Sequence, residues 1–240
     1  MRPPRYLIIE DGSTFHACWQ CHNKDWLLAE EWSKETYYKL LLRYKDRYGI
    51  EIYSYCFMSN HPHLTGKVGK KENLSHFFRI VNAMFARAYN RRHGRSGQVV
   101  MDRFKSPRIE TNDDLLRVMI YNDLNPVRAK MTSNPRHYRW SSYHYYAFGR
   151  EDPLITPAPS YVEMGRGADE RQAAYRRMID EIVEMEAASG AMKRELYSQT
   201  HFIGNPDWVK RRHAALVEYM REKRSQQLEA VQAIALSPPG

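Results

Sequence analysis

The stretch Tyr55-Cys56-Phe57-Met58-Ser59-Asn60-His61-Pro62-His63-Leu64 joins an aromatic and apolar run to two closely spaced histidines. The residue types over Glu51–Met58 favour a strand, and Leu64–Val68 either continues it or forms another strand. Side chains two positions apart on a strand point to the same face, so His61 and His63 can converge on one metal ion. A pair of turn or surface histidines is the competing interpretation, since this spacing also occurs by chance.

The segment before this stretch predicts a strand and a helix. Phe15–Gln20 follows the turn residues Asp11-Gly12-Ser13 and reads as a first strand. Ser33 is a candidate N-cap for a helix whose apolar positions recur near every 3.6 residues, at Tyr37, Leu41, Tyr44 and Tyr48. Gly49 stands where a helix-ending glycine is expected.

The segment after the two histidines predicts a second long helix and two short strands. The helix spans roughly Leu74–Arg92, and Gly94 follows it as a stop. The short strands lie at Val99–Met101 and Phe104–Ile109.

A third helix follows, capped by Thr111 or Asn112 and ended by Pro126. Tyr121 and Asn125 lie four residues apart on it, so their side chains share one face. A phenol is a candidate nucleophile and an amide oxygen a candidate metal ligand. The alternative is that Tyr121 is a packed core aromatic and Asn125 a helix-end cap.

The order of these elements predicts an α+β fold, a ferredoxin-like antiparallel sheet with helices on one face. This catalytic domain would span residues 1–150. Prolines at 153, 157 and 159 then mark a linker, and helical patterns over about 169–188 and 206–233 predict a C-terminal helical extension within residues 151–240.

The charge balance favours a polyanionic partner. The formal net charge is +9 and the isoelectric point about 9.4. One stretch of the chain is rich in cations, with Tyr89, His93 and Phe104 interleaved among them. These cations are the candidate contacts to single-stranded DNA: Arg91, Arg92, Arg95, Arg103, Lys105 and Arg108. A solvated basic loop is the competing interpretation. Arg2 and Arg5 are candidates for an arm along DNA or a disordered terminus.

The cysteines offer a competing set of functions. Cys18-Trp19-Gln20-Cys21-His22 has the spacing of a c-type haem attachment site and of half a zinc site. Haem attachment requires export, for which the N-terminal apolar run is too short, and zinc requires a second pair, whereas Cys56 stands alone. Cys18 is therefore expected in the core, and an odd cysteine count argues against a disulfide framework. No apolar run is long enough to cross a membrane, so we expect a cytoplasmic protein without a membrane partner.

Taken together, the motifs resemble those of a known family. The stretch from Tyr55 to Leu64 is similar to the signature strand of the single-tyrosine HUH transposases, and Ile120–Ala129 is similar to their nucleophile helix. Tyr89–Gly97, Asp102–Ser106 and Trp140–Tyr143 extend the resemblance, which covers about residues 15–143. The branch that the sequence resembles most is the REP-associated tyrosine transposases, which are related to insertion-sequence transposases.

This resemblance implies a function and a role for each residue. His61 and His63 would be metal ligands, Asn125 the third ligand and Tyr121 the nucleophile. The cofactor would be a divalent metal, Mg²⁺ or Mn²⁺. The partner would be single-stranded or hairpin DNA at the bacterial nucleoid, cut and rejoined through a 5′-phosphotyrosine intermediate by a monomer or homodimer.

Pro62 departs from the family pattern, in which a bulky apolar residue usually separates the two histidines. Proline removes a backbone donor and is disfavoured inside a strand, although it is tolerated at a strand start or bulge. Pro62 therefore also supports an alternative, a domesticated DNA-binding protein without catalysis. A second alternative with the same chemistry is an HUH nickase of replication or conjugation.

Overall fold

A five-stranded sheet forms the centre of the protein, for which a computed structural model describes residues 3–189 and 197–235. The strand order is β2-β3-β1-β4-β5. β1, β2, β3 and β4 pair in antiparallel fashion, whereas β5 joins β4 in parallel. In chain order the strands are β1 (Thr14–Cys18), β2 (Ile50–Phe57), β3 (Pro62–Val68), β4 (Arg108–Ile109) and β5 (Phe202–Ile203).

The helices of the described ranges cover both faces of this sheet. They are α1 (Glu31–Lys45), α2 (Lys71–Arg92), α3 (Asn112–Arg128), α4 (Tyr143–Phe148), α5 (Pro159–Val162), α6 (Ala168–Ser189) and α7 (Pro206–Ala235). The chain order β1-α1-β2-β3-α2-β4, with β1 between β3 and β4, is the ferredoxin-like arrangement. The predicted fold class is therefore confirmed.

Successive side chains of β1 point to opposite faces of the sheet. Phe15 packs edge-to-face on Phe78 of α2, at 6.4 Å between ring centroids. The next residue, His16, meets Tyr121 of α3 on the opposite face. The expectation of helices on one face thus holds for α1 and α2, and α3 adds a layer on the other side.

The predicted helix ends in the first half of the chain are partly correct. α1 begins at Glu31 with Glu30 before it, and the Ser33 hydroxyl donates to the Glu30 carbonyl from inside the helix, so the Ser33 cap is wrong. A hydroxyl bonded to an upstream carbonyl does not cap the N–H groups of a first turn. Gly49 and Gly94 both adopt left-handed backbone, φ +59° and +57°, as predicted for residues that end helical segments.

The third helix begins where the sequence predicted and ends later. Thr111 accepts from the Asp114 N–H, and the Asp114 carboxylate accepts from the Thr111 N–H, which closes a capping box. Pro126 lies inside α3, so the prediction that it ends the helix is wrong. The φ of proline suits a helix and only its own N–H bond is lost, so the chain continues to Arg128.

The short strands beyond α2 are fewer than predicted. Of Phe104–Ile109, only Arg108 and Ile109 form β4, and Lys105 makes a single bridge to Cys18. Val99–Met101 contributes one bridge, between Val100 and Cys21. Pro107 cannot donate to the ladder, which explains the gap between the Lys105 bridge and β4. β5 was not predicted.

The C-terminal helices lie close to their predicted positions. Tyr175 and Ile179 of α6 are fully buried, and Tyr175 packs on Tyr146 of α4 with 5.4 Å between ring centroids. The domain boundary at residue 150 stays a prediction. No helix of the described residues combines the length and the apolar character needed to cross a bilayer.

Candidate active site

The two histidines lie side by side at the start of β3. Their ring centroids are 4.7 Å apart. Pro62 is the first residue of the strand and pairs with Phe57, so its missing N–H interrupts no ladder inside the strand. Since residues on either side of it share a face, Pro62 leaves both imidazoles lining one cavity.

Hydrogen bonds determine which ring nitrogen of His61 carries the proton. Its Nδ1 lies 2.6 Å from Asn60 Oδ1, and Asn60 Nδ2 donates to the Lys24 carbonyl at 3.1 Å. Because that second bond identifies Oδ1 as the acceptor, Nδ1 of His61 must be the donor. The Nε2 atom of His61 therefore carries a lone pair. Burial lowers the pKa of His61 to about 4, which keeps the ring neutral.

His63 has one bonded nitrogen and one unpaired nitrogen. Its Nδ1 lies 3.1 Å from Nε2 of His16, while its Nε2 is buried without a hydrogen-bond partner in the part of the chain that the structure describes. Burial lowers the pKa of His63 well below its usual range, and the neighbouring His61 and His16 lower it further. The ring is therefore neutral and can act as a ligand.

Tyr121 projects from α3 onto these histidines. Its ring meets that of His63 edge-on at 5.7 Å between centroids, and the ring of Tyr197 at 5.1 Å. Burial raises the pKa of the Tyr121 phenol, whereas the Arg128 guanidinium, 5.5 Å from the ring centroid, lowers it. The phenol is therefore protonated at rest and needs help to become a nucleophile.

Asn125 lies one helical turn beyond Tyr121, and its amide acts to lower the pKa of the phenol. Its Nδ2 atom is buried without a partner among residues 3–189 and 197–235. Rotating the amide by half a turn would place the carbonyl oxygen there instead.

This donor set fits a divalent metal. The described residues contain no group of three or more His, Cys, Asp or Glu side chains that could hold a metal ion. A metal on His61 and His63 would therefore need a donor of another kind, such as the Asn125 amide oxygen, and substrate or water oxygens. The unpaired buried Nε2 atom of His63 is what such a site requires.

A cavity of about 370 Å³ joins His61, His63 and Tyr121 to two of the predicted DNA-contacting cations, and Asn125 does not line it. Arg103 and Lys105 line it beside Tyr121, and Lys24 adds a third cation that the sequence did not single out. The remaining walls are Cys18, Trp19, Gln20, Met101 and Asp102.

The comparisons with known proteins agree with this geometry. Residues 11–105 match the family described as "Transposase IS200 like", a segment that contains both histidines and ends before Tyr121. Over this segment the chain is similar to the IS200-like transposases. The resemblance found in the sequence motifs is confirmed.

Solved structures also share the fold of this protein. One, described as "Structure of the REP associates tyrosine transposase bound to a REP hairpin", superposes with a TM-score of 0.53 at 17% identity. The match covers 65% of this chain and 91% of that one. None of the curated proteins matches this sequence.

The other predicted cations do not line the cavity. Arg92 lies over the Trp32 ring at 4.6 Å, and Arg95 lies 5.7 Å from the Tyr89 ring. With the exposed Arg91, they form a basic patch at the end of α2. Arg108 pairs with Glu10 at 2.6 Å, a contact that ties β4 to the N-terminal segment.

Arg5 has a structural role in the fold. It donates to Ser75, Ser106 and the Phe104 carbonyl and lies 3.6 Å from the Phe104 ring centroid. Burial lowers its pKa to about 9. Both readings of Arg5, a DNA arm and a disordered terminus, are therefore wrong, because its donors are used within the protein. Arg2 lies outside the described residues.

The three cysteines are free and buried. Cys18 lies in β1, as expected of a small core residue, and burial raises its pKa and that of Cys21 to about 12. Such thiols stay protonated and are poor metal ligands.

Besides Lys24, two side chains at the site were not predicted from the sequence. His16 contacts His63 and Tyr121 through space although 47 residues separate it from His63. Tyr197, beyond α6, reaches the Tyr121 ring. The strand position of His16, two residues before Cys18, was a usable signal, whereas nothing local distinguishes Tyr197.

Proposed function

We propose that this protein is a tyrosine transposase that cuts and rejoins single-stranded DNA through a covalent bond to Tyr121. The proposal rests on one observation. The rings of Tyr121 and His63 lie with their centroids 5.7 Å apart in a cavity that Arg103 and Lys105 also line. α3, β3 and the segment before β4 each supply part of it. A tyrosine packed only for stability would not need buried neutral histidines and cations around it.

His61, His63 and the Asn125 amide would hold the metal. Bound there, Mg²⁺ or Mn²⁺ would polarise the scissile phosphate and offset developing negative charge. The protein itself supplies two neutral imidazoles, since burial keeps both rings unprotonated. Arg103 and Lys105 would neutralise neighbouring phosphates of the strand.

Tyr121 would act as the nucleophile. Its Oη attacks the phosphorus, an O–P bond to tyrosine forms, and the bond from phosphorus to the 3′ oxygen breaks. The phenol loses its proton and the departing 3′ oxygen gains one, which leaves a 5′-phosphotyrosine and a free 3′-hydroxyl. A 3′-hydroxyl then attacks the phosphotyrosine and restores a phosphodiester, so rejoining needs no external energy source.

The substrate would be hairpin DNA with a single-stranded flank. The structural neighbour is a REP-associated transposase bound to a REP hairpin, and both proteins share the fold. We extend that substrate and that branch to this chain. The patch of Arg91, Arg92 and Arg95 would contact DNA outside the cavity. Such an enzyme would act in the cytoplasm, on nucleoid DNA.

Replacing Tyr121 by phenylalanine tests this function. Tyr121→Phe removes only the nucleophilic oxygen, so we expect adduct formation and cleavage to fall below detection, at least 1000-fold on the scale of lost nucleophiles. Hairpin binding should change less than about threefold, since the cations remain. The readout is a denaturing gel of labelled single-stranded hairpin DNA with Mn²⁺ or Mg²⁺, beside a binding titration.

Tyr44→Phe on α1 is the matched control, because it removes a phenolic oxygen away from the cavity. Its adduct should match that of wild type. A Tyr121→Phe protein that still forms an adduct would exclude Tyr121 as the nucleophile. Wild-type protein that binds hairpins without forming an adduct would favour the non-catalytic DNA-binding alternative.

A further inference from the structure

His16 lies beneath the histidine pair, fully buried on β1. Cys18 is directly opposite His63 in the β1–β3 ladder, and His16 is opposite Thr65. His16 and His63 are thus diagonal neighbours on one face, a separation that aromatic side chains can span. Their rings stack at 5.3 Å with an interplanar angle of 1°, and one nitrogen of each ring lies 3.1 Å from the other.

The pair has two proton arrangements. If Nε2–H of His16 donates, Nδ1 of His63 is the acceptor, and the proton of His63 occupies Nε2, where it would block a metal. If Nδ1–H of His63 donates, Nε2 of His16 is the acceptor, and the Nε2 lone pair of His63 faces the cavity. Neither His63 Nε2 nor His16 Nδ1 has a partner within the described residues. Each arrangement therefore leaves one buried N–H unpaired, and the protein alone favours neither strongly.

His16 does not join the metal ligands itself. The described part of the chain contains no convergent group of three His, Cys, Asp or Glu side chains, although His16, His61 and His63 are neighbours. The Nε2 atom of His16 is directed to His63 rather than to the cavity. Its position is that of an outer group that orients a ligand, as carbonyls and carboxylates do behind metal-bound histidines elsewhere.

We propose that His16 is a positioning residue for the metal site: it accepts a hydrogen bond from Nδ1–H of His63 and so presents the His63 Nε2 lone pair to the metal. Asn60 orients His61 in the same way, because its Oδ1 accepts a hydrogen bond from Nδ1–H of His61. The two ligands are thus oriented by partners from different parts of the chain. The inference rests on the proposed metal role of His63.

A matched pair of variants tests the acceptor. His16→Gln places an amide oxygen near the position of Nε2, whereas His16→Phe keeps a planar ring without an acceptor. We expect Zn²⁺ or Mn²⁺ affinity, measured by calorimetry on the full chain, to fall 10- to 100-fold in His16→Phe. His16→Gln should stay within about threefold of wild type. Thermal unfolding without metal reports whether either variant is misfolded.

The controls separate this inference from the proposed function. His63→Ala should abolish tight binding. Wild-type protein that binds neither metal at the His63 site would overturn the metal role itself, and the inference with it. Wild-type protein that depends on His63, with His16→Phe binding equally well, would overturn the inference alone.

The proton positions give a readout that folding defects do not affect. In Zn²⁺-loaded wild-type protein, nitrogen-15 spectra of the imidazoles should show His63 protonated at Nδ1 and His16 unprotonated at Nε2. A proton found on His16 Nε2 in the loaded protein would overturn the proposal. This measurement decides the matter even if both variants at position 16 fail to fold.

Discussion

The two faces of the central sheet differ in the polarity of their buried side chains. The face toward α1 and α2 is aromatic, with Trp19, Phe57 and Phe85 gathered around Tyr37. The face toward α3 is polar although equally buried, with His16, His63, Ser54, Thr65 and Asn122. Since side chains alternate along each strand, one set of backbone atoms holds both. The aromatic packing and the candidate site therefore lie on opposite sides of the same strands.

The sharpest test of this division is a truncation on the apolar face. Phe85→Ala should lower the free energy of unfolding by about 3–5 kcal/mol, because a fully buried ring is lost and a cavity remains. Folded protein should still bind metal with wild-type affinity, since Phe85 contacts Trp19, Tyr37 and Tyr89 rather than the histidines. Denaturant unfolding and calorimetry measure the two quantities. An affinity loss above tenfold in folded protein would contradict the division.

On the polar face, the buried Asp123 carboxyl predicts a dependence on pH. It accepts hydrogen bonds from Tyr175 and Ser142, yet burial raises its pKa to about 7. The folded protein therefore holds this proton more tightly than the unfolded chain, whose carboxyl has a pKa near 3.9. The stability from this group is complete below about pH 4 and is lost as pH rises toward 7.

Asp123→Asn removes that ionisation. Relative to the variant, wild type should lose about 2–3 kcal/mol of unfolding free energy between pH 5 and pH 8, at about 1.4 kcal/mol per pH unit below the pKa. Urea unfolding at both pH values gives the difference. A stability gap between the two proteins that does not change with pH would show that Asp123 is ionised throughout.

The smallest expected effect comes from the hydroxyl pair beneath the site. Ser54 and Thr65 lie 2.6 Å apart on neighbouring strands, and Ser54 also accepts from Asn122 at 3.1 Å. Thr65→Val keeps the volume and removes one bond, so we expect a loss of about 1 kcal/mol. A double-mutant cycle with Ser54→Ala measures the coupling. Zero coupling would mean that the pair adds nothing to the polar face.

Local sequence patterns predicted most of the central helices and strands, because each of these is specified by residues close together in the chain. Periodicity located α1 and α2, and the Thr111 cap located α3. The spacing of His61 and His63, and of Tyr121 and Asn125, predicted which side chains share a face. The structure places His61, His63 and Tyr121 around one cavity, with Asn125 one helical turn beyond Tyr121, and their roles stay predictions.

The failures involve contacts that no local pattern encodes. β5 has two residues and exists because β4 offers it an edge, so periodicity could not reveal it. His16 meets His63 only through the register of β1 against β3. Pro126 is the opposite case, because the prediction there came from a local rule. Proline commonly ends a helix, but its φ angle suits one, and α3 continues to Arg128.

β5 also has a consequence for how the chain folds during synthesis. β4 is an edge of two residues until β5 pairs with it, and β5 lies far along the chain, after α6. Exposed strand edges invite pairing with other chains. A ribosome would therefore finish the histidine and tyrosine elements well before the residues that close this edge. β4 would therefore lack its second partner strand until Phe202 and Ile203 emerge.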